Sequence, residues 1–191
     1  MQAKIQRDNL YVVGNSWEYF AWAVRRAADV AIAANLRFRS GNVGYSVDVL
    51  GYKMGMGEWK PLEKALETIA AFPTPRTKKQ VRSFLGKTGY YRSLVPEYAV
   101  LAGPLDELTG NKEFQWGPNE QESFEGLQCA LVKDAVVASY SASKATEIFT
   151  DASKDRVGAC LVQEGKVVGW FSRRLKGPQL KWNVTRKEAR A

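Results

Sequence analysis

Between Thr74 and Arg92 the chain carries six basic residues, Arg76, Lys78, Lys79, Arg82, Lys87 and Arg92, with no acid and with a tyrosine pair, Tyr90 and Tyr91. Cations at this density bind phosphate oxygens and tyrosine rings stack on bases, so the combination reads as an element that grips nucleic acid. The same stretch encodes the element that presents them. Pro73 and Pro75 stiffen the entry, Thr77 can cap a helix, and Gln80 three residues on can return the bond to the backbone. Val81, Phe84, Leu85 and Thr88 then fall on one side at helical spacing, which leaves Lys78, Lys79 and Arg82 pointing away from a core. Most charge runs are solvated helix faces, but one sign of charge beside tyrosines favours phosphate tracking.

The rest of the composition fits an anionic partner. The 191 residues are 45% hydrophobic and 12% aromatic, which is globular rather than disordered and allows one sizeable domain or two small ones. Formal net charge is +8, and it is unevenly distributed. Glu97 to Glu125 holds seven acids against one lysine, whereas Lys166 to Ala191 holds eight basic residues against the single acid Glu188. With two cysteines, Cys129 and Cys160, and no histidine, a zinc set is excluded and buried free thiols are expected. No apolar run approaches the roughly 20 residues that cross a bilayer. The start, Met1 to Asp8, lacks the apolar core of a signal peptide, so the expected location is intracellular.

Periodicity sets out the expected elements. Ser16 can cap a helix with Trp17, Phe20, Val24, Ala27 and Ala31 on its core side. Leu36 to Lys60 is glycine-punctuated, with Tyr45, Val47 and Val49 alternating, and predicts a β-hairpin ending in a Gly55-Met56-Gly57 turn. A short helix over Leu62 to Phe72, the basic helix, a helix opened by Pro96 and stopped near Gly110, and a helix opened by Pro118 follow. In the last of these Phe124, Leu127 and Leu131 should face inward. Ser139 to Ala145 reads as a linker, and Glu147 to Asp151, Gly158 to Gln163 and Lys166 to Ser172 read as three adjacent strands with a tight Glu164-Gly165 turn. The fold class is therefore α+β.

The basic stretch, with Phe72-Pro73, Gly89-Tyr90-Tyr91-Arg92 and Pro104-Leu105, resembles the thumb of gypsy-type LTR retrotransposon reverse transcriptases. The resemblance continues through Phe114-Gln115-Trp116 and Phe124-Glu125-Gly126-Leu127 to Thr150-Asp151-Ala152-Ser153, which is similar to the opening of the ribonuclease H domain. Ser16-Trp17-Glu18, Leu50-Gly51 and Lys60-Pro61-Leu62-Glu63-Lys64 resemble the end of the palm. The resemblance implies a palm end over residues 1–72, a helical thumb and connection over 73–138, and the front of a ribonuclease H-like domain over 139–191. It also implies that Leu50-Gly51-Tyr52 falls where family members hold a primer end, with Tyr52 standing where most of them carry histidine.

Ribonuclease H chemistry uses four carboxylates around two magnesium ions about 4 Å apart. The resemblance makes Asp151 the first metal-binding aspartate and Glu188, in Thr185-Arg186-Lys187-Glu188-Ala189, the second ligand, leaving the set two acids short. Family spacing puts Asp8 and Asn9 where two adjacent polymerase aspartates stand, and the amide of Asn9 cannot supply the charge that holds magnesium. The expectation is a chain that binds an RNA–DNA hybrid or duplex through backbone phosphates without making or cutting strands, and that depends on further polyprotein segments to complete its fold. A host-retained interaction module using the acidic helices is the alternative. If about five phosphates are engaged, log affinity falls against log salt with a slope near −4 to −5.

Overall fold

The computed structural model describes residues 2–6, 9–13, 16–36, 46–111 and 113–188. They form two compact units, Met1–Val43 and Gly44–Ala191. The boundaries expected after residues 72 and 138 both fall inside the second.

In the first unit, β1 (Gln2–Gln6) and β2 (Asn9–Val13) pair antiparallel, with Ile5 opposite Leu10, and α1 (Trp17–Ala33) packs on β2. Ser16 caps α1 as expected, its Oγ accepting from the Tyr19 amide at 3.2 Å. The inward face differs from expectation. Ala23 and Ala31 are buried, while Trp17 and Val24 are exposed. Apolar residues run almost all round α1, so spacing alone could not choose the face, and the side that is buried is marked by the small residues Ala23 and Ala31, eight positions apart.

The second unit begins with a meander, β3 (Ser46–Val49), β4 (Tyr52–Gly55) and β5 (Glu58–Pro61), completed by the short β6 (Val137–Ala138) in the order β3-β4-β5-β6. Where one hairpin was expected there are two. Tyr45 lies outside the described residues, Gly55 belongs to β4, and the turns are Leu50-Gly51 and Met56-Gly57. Both central residues of each turn have positive φ, 48° and 82° in the first, 53° and 79° in the second, which matches the twist of a two-residue hairpin.

Next come α2 (Glu63–Ala70) and the basic helix α3 (Lys78–Gly89). Thr77 Oγ1 accepts from the Gln80 amide at 3.3 Å, and Gln80 Oε1 accepts from the Arg76 amide at 2.7 Å, one residue earlier than a strict capping box. The single helix expected from Pro96 is two, α4 (Tyr98–Leu101) and α5 (Gly103–Leu108), because Pro104 has no N–H to continue the ladder and restarts it instead. The long α6 (Pro118–Asp134) buries Phe124, Leu127 and Leu131 as its spacing required. Phe84 of α3 is fully buried at the centre of this core, with ring centroids 4.6 Å from Phe124 and 5.3 Å from Phe72.

A second sheet follows, β7 (Glu147–Ala152), β8 (Arg156–Gln163) and β9 (Lys166–Arg174), antiparallel in that order, with Glu164-Gly165 as the β8–β9 turn. A 3-10 turn over Gly177–Lys181 leads to α7 (Val184–Glu188), which packs against β7. The expected linker is pinned down: the buried Gln163 side chain bonds both backbone groups of Ser141 and the Thr146 hydroxyl. The β7–β9 sheet is docked on the helices. Ser172 Oγ accepts from the Ala99 amide at 2.8 Å, and Arg174 pairs with Glu107 at 2.8 Å and with Asp155 at 3.7 Å.

Candidate nucleic-acid interface and carboxylate site

The six cations of the basic stretch divide into two groups. Lys78 Nζ donates to the Gly110 carbonyl at 2.8 Å and Arg82 donates to the Thr109 carbonyl at 2.7 Å. Both cations therefore sit at the carbonyl-rich end of α5, where positive charge is stabilised by the helix dipole. Arg92 donates to the Ser172 carbonyl and lies over the Tyr98 ring, its guanidinium carbon 5.6 Å from the centroid. Arg76, Lys79 and Lys87 are exposed, with no side-chain partner among the described residues. The stretch expected to be one phosphate-tracking face thus also fastens α3 to α5 and to β9.

Lys87 and Tyr90 stand on the rim of an open groove of about 330 Å³ between α2 and α3, beside Thr68 and Gly86 and floored by Ala65 and Ile69. A Cβ at Gly86 would meet nothing within 4 Å, so the backbone of α3 is open to a ligand there. Tyr90 is 50% exposed, whereas Tyr91 is only 6% exposed. The buried ring has no face to offer a base.

Both tyrosines turn instead towards the β3–β4 turn. Tyr90 Oη donates to the Leu50 carbonyl, Tyr91 Oη donates to the Gly51 carbonyl at 3.1 Å, and Tyr52 Oη donates to the Tyr90 carbonyl at 2.8 Å. The three rings pack with centroids 5.0 to 5.4 Å apart, and Trp59 adds an edge contact to Tyr52 at 5.9 Å. Burial, then the neighbouring Tyr90 phenol, pushes the Tyr52 hydroxyl up to about 12, and burial also raises Tyr91. Protonated phenols are the donors this arrangement needs. The sequence reading missed the cluster, because Tyr52 lies 38 residues from Tyr90; the one signal was that the resemblance implies a histidine where Tyr52 stands.

Asp151 is exposed on β7, opposite Gly158. Glu188 closes α7, so the two elements that carry these acids are neighbours. Buried Lys187 ties α7 to the loop after β7, its Nζ donating to the Lys154 carbonyl at 2.6 Å. Asn9 opens β2, and Asp8 lies outside the described residues. Magnesium is held through carboxylates together with retained waters. Asp151 fits one such contact, but no group of three His, Cys, Asp or Glu comes together among the described residues. Among the described residues there is thus no two-ion cage. Cys160 is half-buried, but Cys129 is exposed, against expectation, because it shares the outer face of α6 with Glu122 and Glu125. No helix among the described residues is long and apolar enough to cross a membrane.

An α+β chain with a strand meander, a small helical core and a three-stranded antiparallel sheet has the architecture of a reverse transcriptase running into its ribonuclease H domain. Residues 116–191 match the RNase H-like domain found in reverse transcriptase. The chain is 33% identical over 142 residues to the Gag-Pol polyprotein of avian reticuloendotheliosis virus, covering 71% of this chain and 12% of that polyprotein. It is 28% identical over 148 residues to the transposon Tf2-3 polyprotein of Schizosaccharomyces pombe, covering 74% and 11%. Foamy viral protease-reverse transcriptase, solved with RNA/DNA hybrid, superposes with a TM-score of 0.80 at 18% identity, over 98% of this chain and 27% of that one. The same enzyme in its dRH form with double-stranded DNA gives 0.81, also at 18% identity, over 97% and 34%. The chain corresponds to a reverse transcriptase and ribonuclease H region of a retroelement polyprotein.

Proposed function

We propose that the chain binds the phosphodiester backbone of duplex nucleic acid or of an RNA–DNA hybrid along α3, as part of a gypsy-type LTR retrotransposon polyprotein. The observation that carries this reading is the exposed set of Lys79 and Lys87 on the well-capped α3 with Arg76 and Tyr90 at its two ends, and with Gly86 leaving the backbone open beside Lys87. Cations on a rigid element contact phosphates without reading sequence, and an exposed aromatic ring adds sequence-tolerant stacking. Foamy viral relatives of the same fold were solved with double-stranded DNA and with RNA/DNA hybrid, which supports the choice of ligand. On this reading the 191 residues alone neither extend a primer nor cut a hybrid, since Asn9 replaces a carboxylate and Asp151 and Glu188 are half of a four-acid set.

Fluorescence anisotropy with a labelled RNA–DNA hybrid tests the binding. A dissociation constant of about 10⁻⁴ to 10⁻⁶ M is expected, comparable for unrelated sequences and weakened by salt. No anisotropy change at low salt would refute the interface. Hybrid cut in magnesium, and left intact by the Asp151→Asn variant, would refute the catalytic part.

A further inference from the structure

The Leu50-Gly51 turn is held in a way its own sequence does not demand. A two-residue hairpin closes through strand pairing, yet both carbonyls of this turn accept bonds from tyrosines some forty residues away, Leu50 from Tyr90 and Gly51 from Tyr91. The Leu62 amide adds a further bond to the Gly51 carbonyl at 3.0 Å. Tyr52, the first residue after the turn, reaches back to the Tyr90 carbonyl. The turn and the end of α3 therefore each accept from the other, and the loop of bonds is closed. Leu50 is held at a positive φ that costs a branched residue, a conformation that persists where its surroundings over-determine it. Gly51 is fixed as well: a Cβ there would come within 3.1 Å of the Tyr91 hydroxyl.

We propose that Tyr52, Tyr90 and Tyr91 form a clamp that makes the β3–β4 turn and the C-terminal end of α3 one rigid body, so that nucleic acid seated beside Lys87 meets a turn already in place. The nucleic-acid half of this statement rests on the proposed function; the mechanical half does not. Tyr52 is a positioning residue outside the groove, Tyr91 is buried apart from an edge that lines it, and Tyr90 does both jobs, its hydroxyl in the clamp and its exposed ring on the groove. The raised Tyr52 and Tyr91 hydroxyls remain donors through the neutral range. Such preorganisation strengthens binding by removing an ordering cost and not by adding a contact.

Replacing Tyr90 and Tyr91 by phenylalanine in the full chain removes two hydroxyls and keeps the rings. Amide exchange across residues 49–54 should quicken about tenfold while α6 stays protected, because two hydrogen bonds are lost locally. Duplex affinity should fall about five- to tenfold with an unchanged salt slope, since no phosphate contact is removed. A purely structural role would lower the melting temperature and leave the affinity of the folded fraction untouched. Unchanged exchange at the turn overturns the clamp, and faster exchange with full affinity overturns its role in binding. Should the unmutated chain bind no duplex, the proposed function fails, and the exchange result still decides whether the clamp exists. The single variant Tyr52→Phe repeats both readings from the other side of the loop.

Discussion

Replacing Lys79 and Lys87 by glutamine is the sharpest test of the interface, because the structure fixes how much salt dependence they can carry. Six cations lie between Thr74 and Arg92, and if all bound phosphates, a B-form duplex would give a slope of about −0.9 for each. Three already hold carbonyls: Lys78 that of Gly110, Arg82 that of Thr109 and Arg92 that of Ser172. Releasing them would expose the end of α5 and undock β9, which is unfavourable for a weak, nonspecific ligand. Arg76, Lys79 and Lys87 remain, and three contacts give a slope of about −2.7, shallower than the −4 to −5 that the sequence suggests. The double variant should reduce the slope by about 1.8 and weaken binding equally on every sequence. Anisotropy titrations of one labelled duplex across a salt series read both quantities. A slope change well under 1 in the double variant would show that α3 does not carry the phosphate contacts, and the reasoning from exposed cations would fall.

Three further outcomes follow from the packing. Gly51→Ala should lose about 1–2 kcal/mol in chemical denaturation, from a left-handed φ of 82° and a Cβ placed 3.1 Å from the Tyr91 hydroxyl; a neutral result would mean that the turn relaxes freely. Tyr52 should ionise late, so stability is full below pH 10, where the unfolded phenol stays neutral, and declines from there through about 12 as the unfolded state sheds the proton first. Ultraviolet titration should show that delayed step, and its loss in Tyr52→Phe assigns it. Phe84→Ala, at a fully buried ring packed against Phe72 and Phe124, should destabilise by about 3–5 kcal/mol, and a loss under about 1 kcal/mol would mean the core is not packed as described.

Local signals were legible where they are strong. Pro118, Glu120 and the spacing of Phe124, Leu127 and Leu131 specify α6, and the Glu120 carboxylate does accept from the Gly117 amide at 2.9 Å. Thr77 and Glu164-Gly165 do the same for a helix start and a hairpin turn. What stayed hidden depends on long-range partners. That Lys78 and Arg82 cap α5 rests on contacts 32 and 27 residues apart, and a charge run reads alike whether its ends meet water or carbonyls. The split at Ala102 was readable from Pro104, which has no N–H to continue a single helix from Pro96 to Gly110. The face of α1 was not readable, because its exposed tryptophans and valines are more apolar than the alanines it buries, so hydrophobicity points away from the face that is used.

The two candidate sites differ in how far the chain prepares them, and that difference bears on function more than the residue types do. On the α3 side the groups are set before any ligand arrives: the helix is capped at Thr77, tied to α5 by Lys78 and Arg82, and locked to the β3–β4 turn by three phenols. Asp151, by contrast, stands on β7, which pairs only with β8 among the described strands and leaves Ile148 and Phe149 66% and 57% exposed on its opposite faces. Water surrounds a side chain on such a strand, and a hydrated carboxylate gains little by exchanging water for a metal ion unless other acids are fixed nearby. Transition-state stabilisation needs charges held in place beforehand, whereas backbone binding needs only cations within reach of phosphates. The chain thus holds α3 in place before any ligand arrives, which is the preparation that the proposed backbone binding calls for, while the Asp151 side chain stands exposed among the described residues.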